Sequence, residues 1–317
     1  PKKAPLPKVD HSRWVSNEID YFIAEKMEGK NLSPNDEANK DALIKRAYAD
    51  LIGLPPSYEE LNKWRDNNSN QWYDQMIDQL LQKPGYGEKL GLLWMDLARY
   101  SDTKGYEKDE ARSIWKYRDY IIASFNQNKP YDQFIKEQLA GDLLPNPTEN
   151  DYVATAFHRN TTNNDEGGTE DEEFRTAAIL DRVNTTWEVL QGTSFGCVQC
   201  HSHPYDPIRH DEYYRYMAFF NNSRDEDVPD ESPTYKHYKP DDEKTIARLK
   251  AFLVNQPMAS QKAWGNMIRF VEPKIHPHWA DQFVNGALAD NKYLAVRNGG
   301  SLRFKAVPLM GKTSLLI

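Results

Sequence analysis

Hydrophobic residues recur every three or four positions through most of the first 255 residues of the chain. This spacing is typical of amphipathic helices, and it predicts seven helices between residues 17 and 139. Asn17 and Ser57 stand where helix N-caps are expected, and Glu60 completes a capping box with Ser57. The predicted helices begin at or near Asn17, Lys40, Ser57, Trp72, Glu88, Ile114 and Pro130. No alternating pattern of strands interrupts them, so the first half is predicted to be α-helical.

Three more helices are predicted further along the chain. The polar segment 158–168 is followed by a possible capping box, Thr169 with Glu172, and by an apolar stripe that ends near Leu190. Shorter helices are predicted over residues 211–220 and 241–255. Carboxylates are frequent over residues 165–173, as is common at the start of a helix. Calcium is the alternative use for them, although they lack the spacing of a calcium-binding loop.

The pattern changes near residue 257. Residues 293–296 and 302–307 alternate in the manner of strands, and Asn298, Gly299 and Gly300 between them predict the turn of a β-hairpin. The predicted organisation is therefore an extended leader over residues 1–16, a helical domain over 17–256 and a β-rich second module over 257–317. The apolar run at residues 314–317 predicts that the polypeptide continues past residue 317.

Charge and hydropathy exclude two classes of partner. The net charge of -8 argues against nucleic acid, because a phosphate binder needs a basic face. The mean hydropathy of -0.83 indicates a strongly polar chain, and no apolar run reaches the length of a membrane span.

The two cysteines of the chain lie in one short motif, Cys197-Val198-Gln199-Cys200-His201. Cys-x-x-Cys-His is the attachment motif of a c-type haem. Each thiol can form a bond to one vinyl group of the porphyrin, and the adjacent imidazole can ligate the iron. The motif therefore predicts one covalent haem c, held by Cys197 and Cys200, with His201 as the metal ligand.

Three other interpretations of this motif stay open. A thioredoxin-like redox pair requires a βαβ context, which the flanking residues do not show. A zinc site would add His201 and His203 to the two thiolates, although structural zinc sites usually draw their ligand pairs from separated segments. The two cysteines could also form a plain dithiol or a disulfide.

A haem at this motif needs further side chains around it. His158, beside Arg159 in a polar segment, is the predicted distal group, either as a weak iron ligand or as a proton donor. His203 is predicted to face the substrate or to support the iron ligand, and its alternative is a hydrogen bond within the turn at Pro204. Cationic partners for the haem propionates are predicted from the residue type. These candidates are Arg99, Arg118, Arg159 and Arg182.

Several blocks of the sequence, in the same order, resemble the planctomycete-type cytochrome c-like domain, a bacterial family of unknown function with a Cys-x-x-Cys-His core. The resemblance extends over residues 14–222. Its blocks include 51–56 (Leu-Ile-Gly-Leu-Pro-Pro), 94–100 (Trp-Met-Asp-Leu-Ala-Arg-Tyr), 129–134 (Lys-Pro-Tyr-Asp-Gln-Phe), 157–160 (Phe-His-Arg-Asn), 181–186 (Asp-Arg-Val-Asn-Thr-Thr) and 200–207 (Cys-His-Ser-His-Pro-Tyr-Asp-Pro).

The resemblance implies an exported protein in the periplasm or at the cell surface of a Gram-negative-type bacterium, with a link to polysaccharide or sugar metabolism. It also implies a further domain after residue 317, or a further subunit in its place. The expected function is that of a haem c-dependent oxidoreductase or electron-transfer protein with a redox partner protein. The alternative is a carbohydrate-binding or scaffold protein in which the haem or metal site is structural. A hydrolase ranks lower, because neither a Gly-x-Ser-x-Gly nor a zincin motif is present.

Overall fold

The computed structural model describes residues 4–164, 166, 169–222, 231, 234–271, 277–289 and 293–304. The chain divides into two compact units, residues 1–86 and 87–317. The described residues are mainly α-helical, and their strands are short, antiparallel and confined to the C-terminal part. The predicted fold class is therefore confirmed. None of the described helices combines the length and the apolar composition needed to cross a membrane.

The first unit contains four helices that follow the predicted pattern closely. They are α1 (Glu18–Glu28), α2 (Lys40–Ile52), α3 (Tyr58–Arg65) and α4 (Trp72–Leu81). Ser57 and Glu60 form the predicted capping box, with the Ser57 hydroxyl accepting from the Glu60 amide and the Glu60 carboxylate accepting from the Ser57 amide. The core of this unit is built around Tyr48, whose hydroxyl accepts a hydrogen bond of 3.2 Å from the Trp64 indole.

Helix α5 (Pro84–Leu97) begins at Pro84, four residues before the predicted start at Glu88. Proline is favoured in the first turn of a helix because its missing N–H has no partner there in any case. In the second unit α5 is followed by α6 (Trp115–Asn126), α7 (Tyr131–Ala140) and α8 (Glu149–Ala154). Their aromatic core surrounds the buried amide of Gln138, whose oxygen accepts hydrogen bonds from Trp94 (3.0 Å) and Tyr117 (2.7 Å).

Helix α9 (Asp171–Gln191) leads the chain to the cysteine motif. The predicted capping box at its start is wrong. The N-cap is Glu170, which makes no side-chain cap hydrogen bond. The two residues of the predicted box have other partners: the Thr169 hydroxyl donates to the Glu166 carbonyl (2.7 Å), and Glu172 pairs with Arg175. After the motif comes α10 (His210–Met217), which begins and ends slightly earlier than predicted.

The C-terminal part contains α11 (Pro240–Leu253), α12 (Met258–Arg269) and two small sheets. Strand β1 (Thr234–Tyr235) pairs with β2 (Phe270–Val271), and β3 (Ala280–Ala289) pairs with β4 (Tyr293–Phe304). The predicted position of the hairpin is wrong, since residues 293–304 form one strand and its partner is β3. The pairing shifts between Val284 and Gly286, and a Cβ at Gly300 would lie 2.8 Å from the Asn285 carbonyl oxygen. The glycines therefore serve a bulge inside β4. Residues 305–317 lie outside the described residues.

The segment after residue 257 starts with a helix and not with a strand. Arg269, at the end of α12, donates a hydrogen bond of 2.9 Å to the Tyr152 hydroxyl, and the Phe270 ring lies 5.2 Å from the Tyr152 ring. Arg269 and Phe270 thus pack against Tyr152 of α8. The described residues of the leader, 4–16, form neither helix nor strand. The domain boundaries at 16 and 257 stay predictions.

Candidate functional site

The two cysteines lie on a short 3₁₀ segment, Phe195–Gln199, which follows α9 directly. Cys197 is within this segment and Cys200 is its C-cap residue, with the Cys200 amide 3.5 Å from the Cys197 carbonyl oxygen. Both are free thiols and both are exposed. Because a 3₁₀ turn takes three residues, positions 197 and 200 are presented on the same side.

The opposite side of this segment is buried in an aromatic cluster. The Phe195 ring stacks on Trp187 of α9 with centroids 4.4 Å apart, and on Tyr213 of α10 at 5.1 Å. Val198 is fully buried in the same cluster. The apolar residues of the motif therefore fix its backbone, while the thiols face outward.

Helix α10 holds the motif by its backbone carbonyls. The His210 ring lies 2.9 Å, through Nδ1, from the Val198 carbonyl oxygen, and the Tyr214 hydroxyl donates to the Gln199 carbonyl at 2.9 Å. Sequence reasoning did not identify either side chain. Their four-residue spacing, which places both on one face of a helix just after the motif, is the signal that could have found them.

His201 is exposed, and its Nδ1 lies 2.8 Å from the Ser202 carbonyl oxygen. A carbonyl can only accept, so Nδ1 carries the proton and donates. In the neutral ring this leaves the lone pair on Nε2, which is the arrangement that a metal-ligating imidazole needs. The residue predicted to ligate iron therefore has the appropriate tautomer.

His203 lies inside the turn that follows. Its side chain is 5% exposed, and its Nδ1 accepts hydrogen bonds from the amides of Asp206 (2.9 Å) and Tyr205 (3.3 Å). Nε2 lies 3.5 Å from the Ser194 hydroxyl. This geometry favours the alternative in which His203 stabilises the turn at Pro204, and its substrate-facing role stays a prediction.

His158 lies in a 3₁₀ helix, Thr155–Arg159, and not in the predicted polar loop. Its ring packs between Phe157, at 5.0 Å, and Phe220, at 4.9 Å. Phe220 contacts Tyr216, which in turn contacts Phe195 beside the cysteines. These ring contacts connect His158 to the motif, and its role as the distal group stays a prediction.

The structure separates the four predicted arginines. Arg99 pairs with Asp181 of α9, Arg182 donates to the His158 carbonyl oxygen at 2.9 Å, and Arg159 donates to the Glu231 carbonyl oxygen. Arg159 belongs to the segment 158–161, Arg182 binds this segment, and Arg99 is linked to it through Asp181, which also accepts from the Thr161 hydroxyl. These three form the arginine group. Arg118 instead lies half-exposed on α6 and pairs with its neighbour Asp119 at 3.3 Å.

Helix α9 brings this arginine group close to the cysteine motif. Asp181 binds Arg99, and three residues later Asn184 accepts a hydrogen bond of 3.0 Å from Tyr213 and packs 3.5 Å from the position of a Cβ on Gly196. Three residues are about 4.5 Å along a helix axis and lie on adjoining parts of its surface. The α9 residues that contact the arginine group and the motif are thus about one helical turn apart.

Burial sets the protonation state of the supporting tyrosine. Desolvation raises the pKa of Tyr213 to about 12, so its hydroxyl remains a donor to Asn184 at neutral pH. Within the part of the chain that the structure describes, no three side chains of His, Cys, Asp or Glu form a group that could hold a metal ion. The four residues of the zinc alternative are all described and do not form such a group. The calcium alternative falls partly on residues outside the described ranges.

One comparison with known proteins gives a match. The model of a family described as PSCyt2, protein of unknown function (DUF1549), matches residues 18–225. This range covers more than half of the chain and includes the cysteine motif, α9 and α10. No curated protein and no solved structure matches the chain.

Proposed function

Because this chain belongs to the PSCyt2 family, whose function is unknown, we propose a function from its own residues: an exported c-type haem protein that acts as an oxidoreductase or electron carrier. Haem attachment takes place outside the cytoplasmic membrane, so this proposal includes a periplasmic or surface location. The link to sugar metabolism rests on the family resemblance of the sequence.

One observation carries the proposal. The Cys197 and Cys200 thiols are free, exposed and on one side of a single 3₁₀ turn, and the next residue, His201, has its Nε2 lone pair available. Two thiols for the vinyl groups and one imidazole for the iron are the donor set that a c-type haem requires. A structural core residue would not need to be exposed in this way.

The remaining residues of the site have supporting roles. When bound, the haem would supply one-electron chemistry at its iron. His210 and Tyr214 hold the carbonyls of the motif, so the thiols and the His201 ring keep their positions before any haem arrives. The Ser202 carbonyl orients the ring of His201, which is the usual role of a group bonded to a ligating histidine.

The test is the intact mass of the full chain made in a host with haem-maturation machinery. We expect a mass gain of one haem that survives acid-acetone extraction, and a visible spectrum of a c-type haem. Cys197→Ser and Cys200→Ser should each retain one thioether bond at most, and the double variant should retain none. Tyr205→Ala is the matched control in the same loop, because its side chain is 92% exposed.

A folded protein of unmodified mass from such a host would refute the haem proposal. The carbohydrate-binding or scaffold function would then be the remaining candidate. Residence of the native protein in the cytosol would count equally against the proposal, since attachment would not be possible there.

His158 is the proposed group on the far side of the iron. His158→Ala should change the visible spectrum or the affinity for cyanide or carbon monoxide, because distal side chains control ligand access to haem iron. Phe220→Leu is a useful control, since it loosens the packing around His158 without removing an imidazole. If neither the spectrum nor the ligand affinity changes in His158→Ala, the distal group is another residue. Met217 and Met95 are then the next candidates, because a thioether sulfur can also ligate haem iron.

A further inference from the structure

Arg99 occupies a backbone position that normally belongs to glycine. Helix α5 ends with a pair of hydrogen bonds, from the Tyr100 amide to the Met95 carbonyl (2.9 Å) and from the Arg99 amide to the Asp96 carbonyl (3.1 Å). This is the Schellman arrangement, in which the residue at the Arg99 position adopts left-handed backbone angles. Arg99 does so with a φ of 58°.

At the ends of other helices of this chain, the left-handed position is occupied by asparagine or glycine, which tolerate this conformation. The left-handed residue after the helix is asparagine after α1 and α6 (Asn31 and Asn128) and glycine after α2 and α9 (Gly53 and Gly192). A residue with a long side chain is strained there, because Cβ approaches the following carbonyl oxygen. An arginine at this position therefore indicates that its side chain is required where it lies.

One edge of the Arg99 guanidinium is buried and not used by the protein. Nη1 pairs with Asp181, whereas Nε and Nη2 are buried and have no hydrogen-bond partner among the residues that the structure describes. Nε–H and Nη2–H point in parallel along one edge and match the two oxygens of a carboxylate. Three other arginines of the chain bind a carboxylate with this same edge, namely Arg65 with Asp41, Arg175 with Glu172 and Arg303 with Asp281.

Further unused polar groups belong to side chains linked to Arg99. The Asp181 carboxylate that pairs with Arg99 also accepts from the Thr161 hydroxyl at 2.5 Å, and the Thr161 carbonyl accepts from Arg112 Nη2 at 2.9 Å. Asn160, which precedes Thr161, is 5% exposed, and both atoms of its amide lack a partner in the described part of the chain. The same holds for Nε of Arg112. Buried polar groups are normally paired, so such a group of them points to a ligand.

The chemistry of these atoms selects the ligand. N–H donors outnumber acceptors among them. The two guanidinium groups already pair with carboxylates through other atoms, Arg99 with Asp181 and Arg112 with Glu231 at 2.8 Å, so the unused atoms are further hydrogen-bond donors. A ligand that satisfies them must be rich in acceptors. The parallel edge of Arg99 favours a planar group with two oxygens, which is what this edge binds in Arg65, Arg175 and Arg303. We propose that Arg99, Arg112 and Asn160 form a binding site for a carboxylate group.

Helix α9 contacts both this site and the cysteine motif, through Asp181 and, about one turn later, Asn184. Its carboxylate has two possible sources, a haem propionate or a separate ligand that binds beside the haem. The site itself does not depend on the haem, because all of its residues belong to the folded chain.

The test uses propionate as the probe and propionamide as its neutral counterpart, at constant ionic strength. The protein is the full chain with Cys197→Ser and Cys200→Ser, so no haem can compete. The side-chain Nε–H signal of Arg99, assigned by its loss in Arg99→Lys, should shift with propionate and not with propionamide. In Asn160→Leu the half-saturating concentration should rise about tenfold, which is the scale of losing one charge-assisted hydrogen bond. Arg65→Lys is the matched control, because its edge already binds Asp41.

The same titration on protein with attached haem then distinguishes the two sources of the carboxylate. If propionate no longer binds once haem is attached, the haem propionate occupies the site; if it still binds, the natural ligand is separate. Should the chain carry no haem at all, the proposed function fails while the carboxylate site is still tested by the same titration. If the Arg99 Nε–H chemical shift does not change with propionate, or changes equally with propionamide, the proposed carboxylate site is refuted. If Asn160→Leu does not fold, the thermal midpoint gives the same decision, since propionate should raise it in the parent protein and not in Arg99→Lys.

Discussion

Two substitutions of Arg99 separate the cost of its backbone from the contacts of its side chain. Alanine and glycine both remove the ion pair with Asp181, but only alanine keeps a Cβ on left-handed backbone, where φ is 58°. That conformation costs a non-glycine residue roughly 1–2 kcal/mol. Glycine in turn loses roughly 0.4–1 kcal/mol relative to alanine through the greater freedom of the unfolded chain. We therefore expect Arg99→Gly to be more stable than Arg99→Ala by about 0.5–1 kcal/mol.

Urea titration and thermal melting of the full chain measure this difference. For a domain of this size 1 kcal/mol corresponds to about 2–4 °C in Tm, so the glycine variant should melt about 1–4 °C above the alanine variant. Gly192→Ala is the matched control at the end of α9. Its φ is 63°, and an added Cβ there meets no atom within 4 Å, so backbone strain alone should destabilise it by a similar amount.

An alanine variant as stable as the glycine variant, with Gly192→Ala destabilised as expected, would refute the reasoning. It would mean that Arg99 is not strained in the folded protein, and the inference that its side chain is retained for a ligand would lose its first support. Equal stability in both positions would instead show that left-handed backbone has little cost in this chain.

Three further predictions test the side chains that hold the cysteine motif in place and the C-terminal boundary of the helical domain. The free energy of unfolding should fall by about 1.4 kcal/mol per pH unit from pH 10 towards pH 12 through Tyr213, because its pKa of about 12 in the folded state exceeds the unfolded value of 10.0. Urea titrations at several pH values measure this fall. In Tyr213→Phe the contribution of this group to the fall should be absent. His210→Ala should lower the free energy of unfolding by about 1 kcal/mol, since the Val198 carbonyl loses its hydrogen bond, and unchanged stability together with unchanged hydrogen exchange in the motif would contradict this. A chain that ends at residue 276 should melt like the parent in its helical part. A chain that ends at residue 256 should lose at least about 1 kcal/mol of unfolding free energy, because the contacts of Arg269 and Phe270 with Tyr152 are removed. Equal melting temperatures of the two chains would show that these contacts do not stabilise the helical part.

Local patterns in the sequence were sufficient for most of the helices. The capping box of Ser57 and Glu60 and the spacing of apolar residues depend on neighbours within one or two turns, so they can be read without knowing the fold. The cysteine motif is local in the same sense, because its five residues define the donor set by themselves. Family membership over residues 18–225 likewise agrees with blocks that were visible in the sequence.

Long-range contacts decided the rest. Residues 293–304 form a single strand because β3, a segment without a clear strand pattern, pairs along their length and places a bulge at Gly300. His210 became part of the site only when α10 packed on the cysteine segment. Arg99 and Asp181 are far apart in the chain, and nothing local distinguishes Arg99 from the other arginines. Its left-handed backbone follows from the hydrogen bonds that end α5, but no glycine or asparagine marks the position in the sequence. Only the tertiary structure shows that one edge of its guanidinium is buried, because this follows from how α5, the segment 158–161 and α9 pack together.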